Sequence, residues 1–450
     1  MRIRLRETLA VSGAVALVAA AFAVPHLHLG ITPLINAPPE RFAAFAGMAP
    51  IFGWWQPHIG WGTGPALVIG GAAILWGPSI AMRMSWRALT MTTWTTAAAW
   101  AFSLAMIDGW GLGFAGRLTA RHEYLQQVPT VTDIPEAVHH FTARILDFQP
   151  NSWITHVSGH PPGALLTFVW LDRVGLTGGG WAGLLCLLSG SSAAVAIIVT
   201  VRALAHENTA RRAAPFVAVS PAAIWIAVSA DGYFAGVAAW GIALLALAAR
   251  RSVRMPAMAS VGAGLLLGWG MFLSYGLALM AIPAAAVVIA AIDRRAAFRA
   301  LILAATAAVA VVLVFTVAGF CWLDGYELVQ QRYWQGIAVD RPFRYWSWGN
   351  LASVVCVIGL AGVAGTSRAI DVSAIRRRRG LTLLLVAMVV AILLADASQL
   401  SKAEVERIWL PFTVWLSAPA ALLPPRSHRW WLAINVVGAL VLNHLVLTNW

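Results

Sequence analysis

The sequence predicts an all-α membrane protein whose chain crosses the bilayer many times. Hydrophobic residues make up 60% of its 450 residues and charged residues only 11%, whereas a soluble domain carries about 25% charged residues. The apolar runs have the length of about 20 residues that a helix needs to cross a hydrocarbon core of roughly 30 Å. Short arginine clusters separate many of these runs, as the positive-inside rule expects of cytoplasmic loops.

The net charge of +13 therefore indicates orientation and excludes a nucleic-acid partner. A nucleic-acid-binding protein gathers its basic residues in one patch or stripe, whereas here they are scattered between apolar runs. Lys402 is the only lysine. The three cysteines, Cys186, Cys321 and Cys356, form no CxxC pair, so neither a disulfide framework nor a zinc ribbon is predicted.

The N-terminal arginines indicate on which side of the membrane the chain begins. Arg2, Arg4 and Arg6 precede an apolar run over residues 9–24, which we interpret as an uncleaved first helix because many further spans follow. With the arginines in the cytoplasm, the segment from 26 to 62 lies outside. Two further helices then lead to a long outer segment that begins at Asp108.

The apolar stretch 163–176 decides the rest of the topology. It has only about 14 residues and contains Asp172 and Arg173, so it is too short to span comfortably and predicts a helix lying on the outer surface. Every later arginine cluster then lies in the cytoplasm. The count becomes about 13 crossings, with the C-terminus outside. The later clusters include Arg202, Arg211, Arg212, Arg250, Arg251, Arg254, Arg294, Arg295, Arg299, Arg368, Arg376 to Arg379, Arg426 and Arg429.

This threading divides the chain into five parts. They are 1–107, the first three transmembrane helices; 108–176, a large extracytoplasmic loop with juxtamembrane helices; 177–322, a central transmembrane bundle; 323–349, a second extracytoplasmic loop; and 350–450, the C-terminal transmembrane helices.

The ionisable residues gather at the outer helix ends, which favours an outward-facing enzyme over an ion-coupled carrier, because a carrier places charges within its spans. The sharpest signal is His156-Val-Ser-Gly-His160-Pro-Pro-Gly163. Its prolines end a loop and begin the surface helix, near an N-terminus that favours anions. The alternative is that His160 only caps this helix.

Three acids are candidates for chemistry. Asp108 closes the third helix, Glu123 follows in the outer loop, and Asp231 ends a Ser-Pro-containing helix. Asp108 or Glu123 could be a general base if burial and a nearby cation tune its pKa. The alternative for each acid alone is a solvated loop carboxylate or a turn residue.

Arginines in the predicted outer loops depart from the positive-inside rule, so they indicate a role other than orientation. Arg332, Arg341 and Arg344 lie between aromatic residues in the second outer loop, and guanidinium groups bind phosphate in bidentate fashion. A short outer loop carries a further charged cluster, which consists of Lys402, Glu404, Glu406 and Arg407. Tyr275 is another candidate, at the outer turn between two predicted helices.

Together these parts resemble the GT-C superfamily of integral membrane glycosyltransferases. That superfamily includes protein O-mannosyltransferases, lipid A aminoarabinose transferases, and the arabinosyl- and mannosyltransferases of actinobacterial envelopes. The shared order is an acid-bearing outer loop, a double-proline entry into a surface helix, a Ser-Pro helix leading to an outer Asp, and a late Glu/Arg helix mouth. The resemblance covers about residues 100–415 as an ordered pattern of motifs.

The resemblance implies a GT-C-like bundle and an inverting transfer from a polyprenyl-phosphate sugar to an envelope glycan, lipid or protein. Asp108 or Glu123 would be the base; the family's Asp-Glu pair aligns with His122-Glu123, so the choice stays open. Other residues would line the site or hold the leaving phosphate, whose developing charge needs stabilisation. The lining residues are His156, His160, Asp231, Tyr275 and Glu404, and the phosphate-binding cations are Arg332, Arg341, Arg344, Lys402 and Arg407.

Two further expectations follow. Some relatives bind a divalent cation, and His122, His139, His140 and His156 could ligate one, although their spacing fits no zinc signature. The protein is expected in the plasma membrane among its lipids, with a cytoplasmic N-terminus and an extracytoplasmic site. The rival functions are a lipid-linked sugar flippase, which would need a polar path through the membrane, and a non-catalytic scaffold.

Overall fold

The computed structural model describes residues 2–27, 29–35, 48–377 and 379–448, and within them the chain is mostly helical, with two short strands. Some positions in the predicted clusters lie outside the described residues: the side chains of Arg2 and Arg4, and residue Arg378. Residues 28 and 36–47 of the first outer segment do so as well.

The helices follow one another along the chain with short connections, except in the outer loop. They are α1 (Arg2–Ala23), α2 (Thr63–Leu75), α3 (Gly77–Arg83), α4 (Trp86–Ala105), α5 (Ile134–His139), α6 (Thr155–Ser158), α7 (Pro162–Arg173), α8 (Gly179–Leu204), α9 (Glu207–Ala218), α10 (Ala223–Ile226), α11 (Ala230–Ala249), α12 (Pro256–Leu273), α13 (Ala281–Ile289), α14 (Arg294–Val317), α15 (Trp322–Trp334), α16 (Phe343–Ala369), α17 (Val372–Arg376), α18 (Gly380–Ala397), α19 (Val405–Ile408), α20 (Leu410–Thr413) and α21 (His428–Leu445). Two short strands, β1 (Gly53–Trp55) and β2 (Val446–Thr448), pair antiparallel and join the first outer segment to the C-terminal end.

Seven of the described helices are long and apolar enough to cross a membrane: α1, α8, α11, α12, α14, α16 and α18. Helices α2 and α3 together form an eighth candidate, bent by 61°. The prediction of a polytopic all-α membrane protein is confirmed. Shorter or more polar helices (α4, α9 with α10, Tyr275–Ile289, Leu410–Leu422 and α21) occupy the positions of the remaining predicted spans, so the total of about 13 crossings stays a prediction.

Small residues let the central helices approach closely. A Cβ added at Gly236 of α11 would lie 2.3 Å from the carbonyl oxygen of Ser189 in α8, and one at Gly190 would lie 2.8 Å from the carbonyl oxygen of Gly232. Close approach at small residues is how membrane helices gain packing energy when lipid is as apolar as their side chains. This contact fixes the first turn of α11, which carries Asp231.

The predicted arginine clusters meet at one end of the bundle. Arg6 of α1 donates to the carbonyl of Ile370 after α16, and Arg250 after α11 donates to the carbonyl of Ala203 in α8. Because membrane-length helices separate these contacts from Asp231, the clusters lie at the opposite end from the acids. We call this the arginine end (Arg6, Arg83, Arg87, Arg202, Arg211, Arg250 and Arg368).

Helix α7 does not cross the bundle. Its 12 residues span about 18 Å, less than the hydrocarbon core. At its far end Arg173 donates to the carbonyls of Val131 and Thr132 in the outer loop. The next helix begins at Gly179, where a Cβ would lie 1.7 Å from the carbonyl oxygen of Ala115. Both ends of α7 therefore lie on the loop side, as the sequence predicted.

Two details differ from the sequence-based interpretation. The segment 323–349 is largely helical, because α15 fills its first part. Asp231 does not end the helix that begins near Ala213: α9 stops at Ala218, and Asp231 lies in the first turn of α11. The reason is Pro221, which disfavours helical backbone at the residue before it and so ends α9 early.

Candidate active site

A buried arginine lies at the centre of the polar end of the bundle. Nη1 of Arg407 lies 2.7 Å from Oδ2 of Asp231, and its Nη2 lies 2.7 Å from Oε2 of Glu404. The three side chains come from two distant parts of the sequence, and both carboxylates contact the same guanidinium. An ion pair of this depth holds together only because each charge is paired and hydrogen-bonded.

The backbone of the turn before α19 positions Glu404 and Arg407. Ala403 and Glu404 both have positive φ values, 72° and 64°, which non-glycine residues rarely adopt. This turn precedes α19 and reverses the chain, so that Glu404 and Arg407, three residues apart, face each other. Strained backbone of this kind persists only where the surrounding contacts enforce it.

A Glu–His pair extends the cluster. Nδ1 of His156 lies 2.7 Å from Oε1 of Glu123, and Nε2 of His156 lies 3.3 Å from Nη2 of Arg407. Because a guanidinium nitrogen only donates, Nε2 of His156 accepts from Arg407, and its Nδ1–H donates to Glu123. The backbone N–H of His156 donates to the carbonyl of His122, which fastens α6 to the residue before Glu123.

The charges of the cluster stabilise one another. Burial raises the pKa of Glu123, but His156 and Arg407 outweigh that effect and hold the pKa below its usual value. Glu404 behaves likewise, with Arg407 and Arg341 lowering its pKa against burial. Burial lowers the pKa of Arg407, yet Asp231 and Glu404 raise it further than burial lowers it. Both glutamates are therefore ionised at neutral pH.

Asp108 lies in a second polar cluster on the same end. Its Oδ1 is 2.7 Å from Nε2 of His58, and its Oδ2 is 3.6 Å from Nη2 of Arg117. The hydrogen bond to Asp108 raises the pKa of His58, against the effect of burial. Arg117 also donates to the carbonyl of Thr448 in β2.

Arg117 connects the two clusters electrostatically. Burial lowers the pKa of Arg117, while Asp108 and Glu123 both raise it, so the guanidinium lies near both acids. Neither His58 nor Arg117 was among the sequence-predicted site residues. The only signal was that Arg117 is an outer arginine, which runs against the inside bias; nothing in the sequence marks His58.

Two predicted phosphate-binding cations are engaged with the protein itself. Nζ of Lys402 donates to the carbonyls of Ala338 and Arg341, and Nη1 of Arg341 donates back to the carbonyl of Lys402 at 2.6 Å. Lys402 also lies 4.6 Å from the ring centroid of Trp334. These reciprocal bonds latch the segment after α15 onto the turn before α19. We call Lys402 and Arg341 the latch.

The remaining predicted residues are dispersed around this core. Arg332 pairs with Asp147 of the outer loop, and Arg344 is exposed and donates to the carbonyl of Gly30. Tyr275 is buried against Trp322. The structure therefore joins Glu123, His156, Asp231, Glu404 and Arg407 directly, and Nη2 of Arg341 lies 3.5 Å from Oε1 of Glu404. Arg332, Arg344 and Tyr275 lie in other contacts.

His160 borders the central cluster. Its Nδ1 lies 2.7 Å from the carbonyl oxygen of His156, and its ring contacts Tyr124 and Phe234. Burial lowers the pKa of His160 to about 4, although Asp231 acts in the opposite direction. The side chain is neutral at physiological pH.

Glu406 is a further buried acid beside the central cluster. Its Oε1 accepts a 2.7 Å hydrogen bond from the backbone N–H of Phe52. Burial raises the pKa of Glu406 to about 7, with Glu404 acting in the same direction. Because Phe52 is close in sequence to His58, Glu406 ties the segment that supports Asp108 to the helix that carries Arg407.

The histidines considered as metal ligands do not converge. His139 and His140 contact each other edge to face, whereas the ring of His122 lies against the hydroxyl of Thr155. Across the part of the chain that the structure describes, no three His, Cys, Asp or Glu side chains are grouped as a metal site.

Comparison with known proteins identifies the fold. No protein-family model matches this sequence, and no curated protein matches it either. Solved structures of the oligosaccharyltransferase from Archaeoglobus fulgidus do match. Its complex with Zn and sulfate is 14% identical, with a TM-score of 0.51, over 78% of this chain and 52% of that one. Its apo form is 13% identical, with a TM-score of 0.50, over 75% and 50%.

The chain has a GT-C fold. The architecture that the sequence resemblance implied is therefore confirmed. The chain spans about half the length of the structures it matches, so the likeness concerns the fold, and the site must be argued from this chain's own residues.

Proposed function

We propose that this protein is an integral membrane glycosyltransferase. It moves a sugar from a polyprenyl-phosphate donor to an envelope glycan, lipid or protein, with inversion. It works in the plasma membrane with its N-terminus in the cytoplasm and its site outside. The observation that carries the proposal is the buried Asp231–Arg407–Glu404 ion cluster, which adjoins the Glu123–His156 pair on a GT-C fold.

Sidedness supports an outward-facing site. The arginine end gathers the clusters that the positive-inside rule assigns to the cytoplasm, and the two acid clusters lie at the other end of the same helices. A donor with its phosphate at the outer membrane surface would meet these acids there. An acceptor would approach from the outer loop.

The chemistry requires a base and a means of stabilising the leaving phosphate. Asp108 or Glu123 takes the proton of the acceptor hydroxyl, since each is a buried carboxylate oriented by a histidine, His58 or His156. A positioned base of this kind contributes about 10²- to 10⁴-fold to rate. His160 and Tyr275 remain proposed lining residues.

The cations divide into two groups. Lys402 and Arg341 preserve the shape of the site through the latch, and Arg332 is held by Asp147. Arg344 is exposed, and its Nη2 donates to the Gly30 carbonyl. Its other N–H groups can donate to a phosphate. Arg407 supplies positive charge near the reacting groups, which acts strongly where water is excluded.

The test is a transfer assay on the purified protein. Radiolabelled polyprenyl-phosphate mannose or arabinose is offered with a crude envelope acceptor to the wild type and to Asp108→Asn and Glu123→Gln. We expect the variant lacking the base to lose at least about 100-fold in rate. Glu136→Gln, an exposed acid of the same loop, is the matched control. Undiminished transfer in both site variants would refute the assigned base.

The assay also discriminates against a flippase. A flippase would give no labelled product with any sugar, yet would move the lipid-linked sugar between the leaflets of a vesicle. Repeating the transfer with and without chelator decides whether a divalent cation takes part.

A further inference from the structure

A large apolar groove lies away from the acids, between α2, α3, α4 and α9. It has a volume of about 450 Å³, within the range of roughly 300–1,000 Å³ that is typical of ligand sites. The 61° bend between α2 and α3 opens it. Trp76 and Ile80 line one side, and Ala99 and Pro215 line the other.

The groove lining is apolar even at its threonine residues. Four threonines of α4 face the groove, and the hydroxyls of Thr93 and Thr95 donate back to the carbonyls of Leu89 and Met91 in their own helix. Hydroxyls satisfied in this way leave methyl groups toward the groove. The groove therefore suits hydrocarbon.

The groove extends from the arginine end past the middle of the bundle. Its lining runs from Met84, before α4, to Ala99 in the second half of α4. The start of α2 packs beyond it, beside Met106 and Ile107 at the acid end, where a Cβ on Gly62 would overlap both. The described lining includes none of the residues of the two acid clusters.

Two arginines lie close in the chain to Met84, a residue of the groove lining. Arg83 and Arg87 flank Met84, both are exposed, and among the described residues neither has an acid within 4.0 Å. Arg211 fixes the turn between them by donating to the carbonyls of Ala81 and Met84.

We propose that this groove binds one acyl chain of an anionic phospholipid, with the lipid phosphate between Arg83 and Arg87. An apolar void in a bilayer fills with hydrocarbon, because an empty one forfeits the packing energy of its walls. The two unpaired guanidinium groups select an anionic headgroup, since each arginine near a membrane surface attracts anionic lipid. The site is distinct from the proposed catalytic site and does not depend on the proposed function.

The experiment uses the full chain in nanodiscs of mixed phosphatidylglycerol and phosphatidylcholine. Native mass spectrometry then counts the lipids retained after mild delipidation. We expect one phosphatidylglycerol per protein. Arg83→Gln and Arg87→Gln should each lower that occupancy about fivefold. The matched control is Arg295→Gln with Arg299→Gln, two exposed arginines of another cytoplasmic cluster.

A second variant tests the chain-binding part. Ala99→Trp fills the groove and should abolish retention, whereas Ala310→Trp, on the exposed face of α14, should not. Equal retention of phosphatidylcholine and phosphatidylglycerol by the wild type would overturn the headgroup assignment. Full retention by Ala99→Trp would overturn the groove assignment. Free inorganic phosphate that displaces the lipid would show that the arginines, and not the groove, provide the binding.

Discussion

Arg407 at the acid end differs from Arg83 and Arg87 at the arginine end in how its charge is stabilised. At the acid end, Arg407 is 5% exposed and binds two carboxylates. At the arginine end, Arg83 and Arg87 are exposed and lack a carboxylate partner among the described residues. An exposed arginine needs no partner because water solvates it, whereas a buried one survives only with paired charge. The same residue type is therefore stabilised by solvent at one position and by paired carboxylates at another.

Removing the buried arginine should give the largest effect. Arg407→Met leaves the buried carboxylate of Asp231 without its guanidinium partner and leaves Glu404 with Arg341, 3.5 Å away. We expect this change to cost about 3–5 kcal/mol of unfolding free energy. Arg83→Met should cost less than about 0.5 kcal/mol. Denaturant unfolding in one detergent measures both. Equal unfolding free energies of the two variants would show that Arg407 and Arg83 contribute equally to stability.

The latch should give the next largest effect. Lys402→Met leaves the carbonyls of Ala338 and Arg341 without their buried donor, and hydrogen bonds to charged groups contribute about 1.5–3 kcal/mol. We expect a loss of that size, together with faster proteolysis near residue 338. Arg87→Met is the matched control at the other end. A latch that carried no energy would leave both the stability and the cleavage rate unchanged.

Glu406 predicts a pH dependence of the unfolding free energy. Its pKa is about 7 in the folded protein and about 4.5 in the unfolded chain. The folded state therefore holds the extra proton between these values, and stability falls as the pH rises through this window. Between pH 6 and pH 8 the loss is about 1 kcal/mol. Glu406→Gln removes it, so the stability of this variant relative to wild type should rise over that range.

The control for this measurement is Glu136→Gln, which removes an exposed acid. Its stability relative to the wild type should not change between pH 6 and pH 8. A parallel pH response of wild type and Glu406→Gln would show that Glu406 is ionised in the folded state across the whole range.

The ion pair between Arg332 and Asp147 should give the smallest effect. Asp147 is 39% exposed, and such pairs contribute about 0.2–1 kcal/mol. A double-mutant cycle with Arg332→Gln and Asp147→Asn measures the coupling free energy. A coupling above about 2 kcal/mol would place this pair with the buried cluster rather than with the surface.

The sequence drew attention to much of the charged cluster, because outer arginines and acids are conspicuous in an apolar chain. Asp231, Glu404 and Arg407 stood out as charges at helix ends, and the structure joins them. Lys402 stood out equally, but its Nζ is bound to two carbonyls. A lysine that binds backbone carbonyls and a lysine that binds a ligand carry the same charge and can occupy the same position in a sequence. Only the contacts in the structure distinguish the two roles.

The sequence by itself determined the helical class, the orientation signal and the short surface helix, because span length and charge asymmetry are local properties that the bilayer reads directly. Tertiary structure alone decided which charges meet. His58 reaches Asp108 across 50 residues, and Arg407 reaches Asp231 across 176. Such pairings depend on the close packing of helices distant in sequence, which no local pattern encodes.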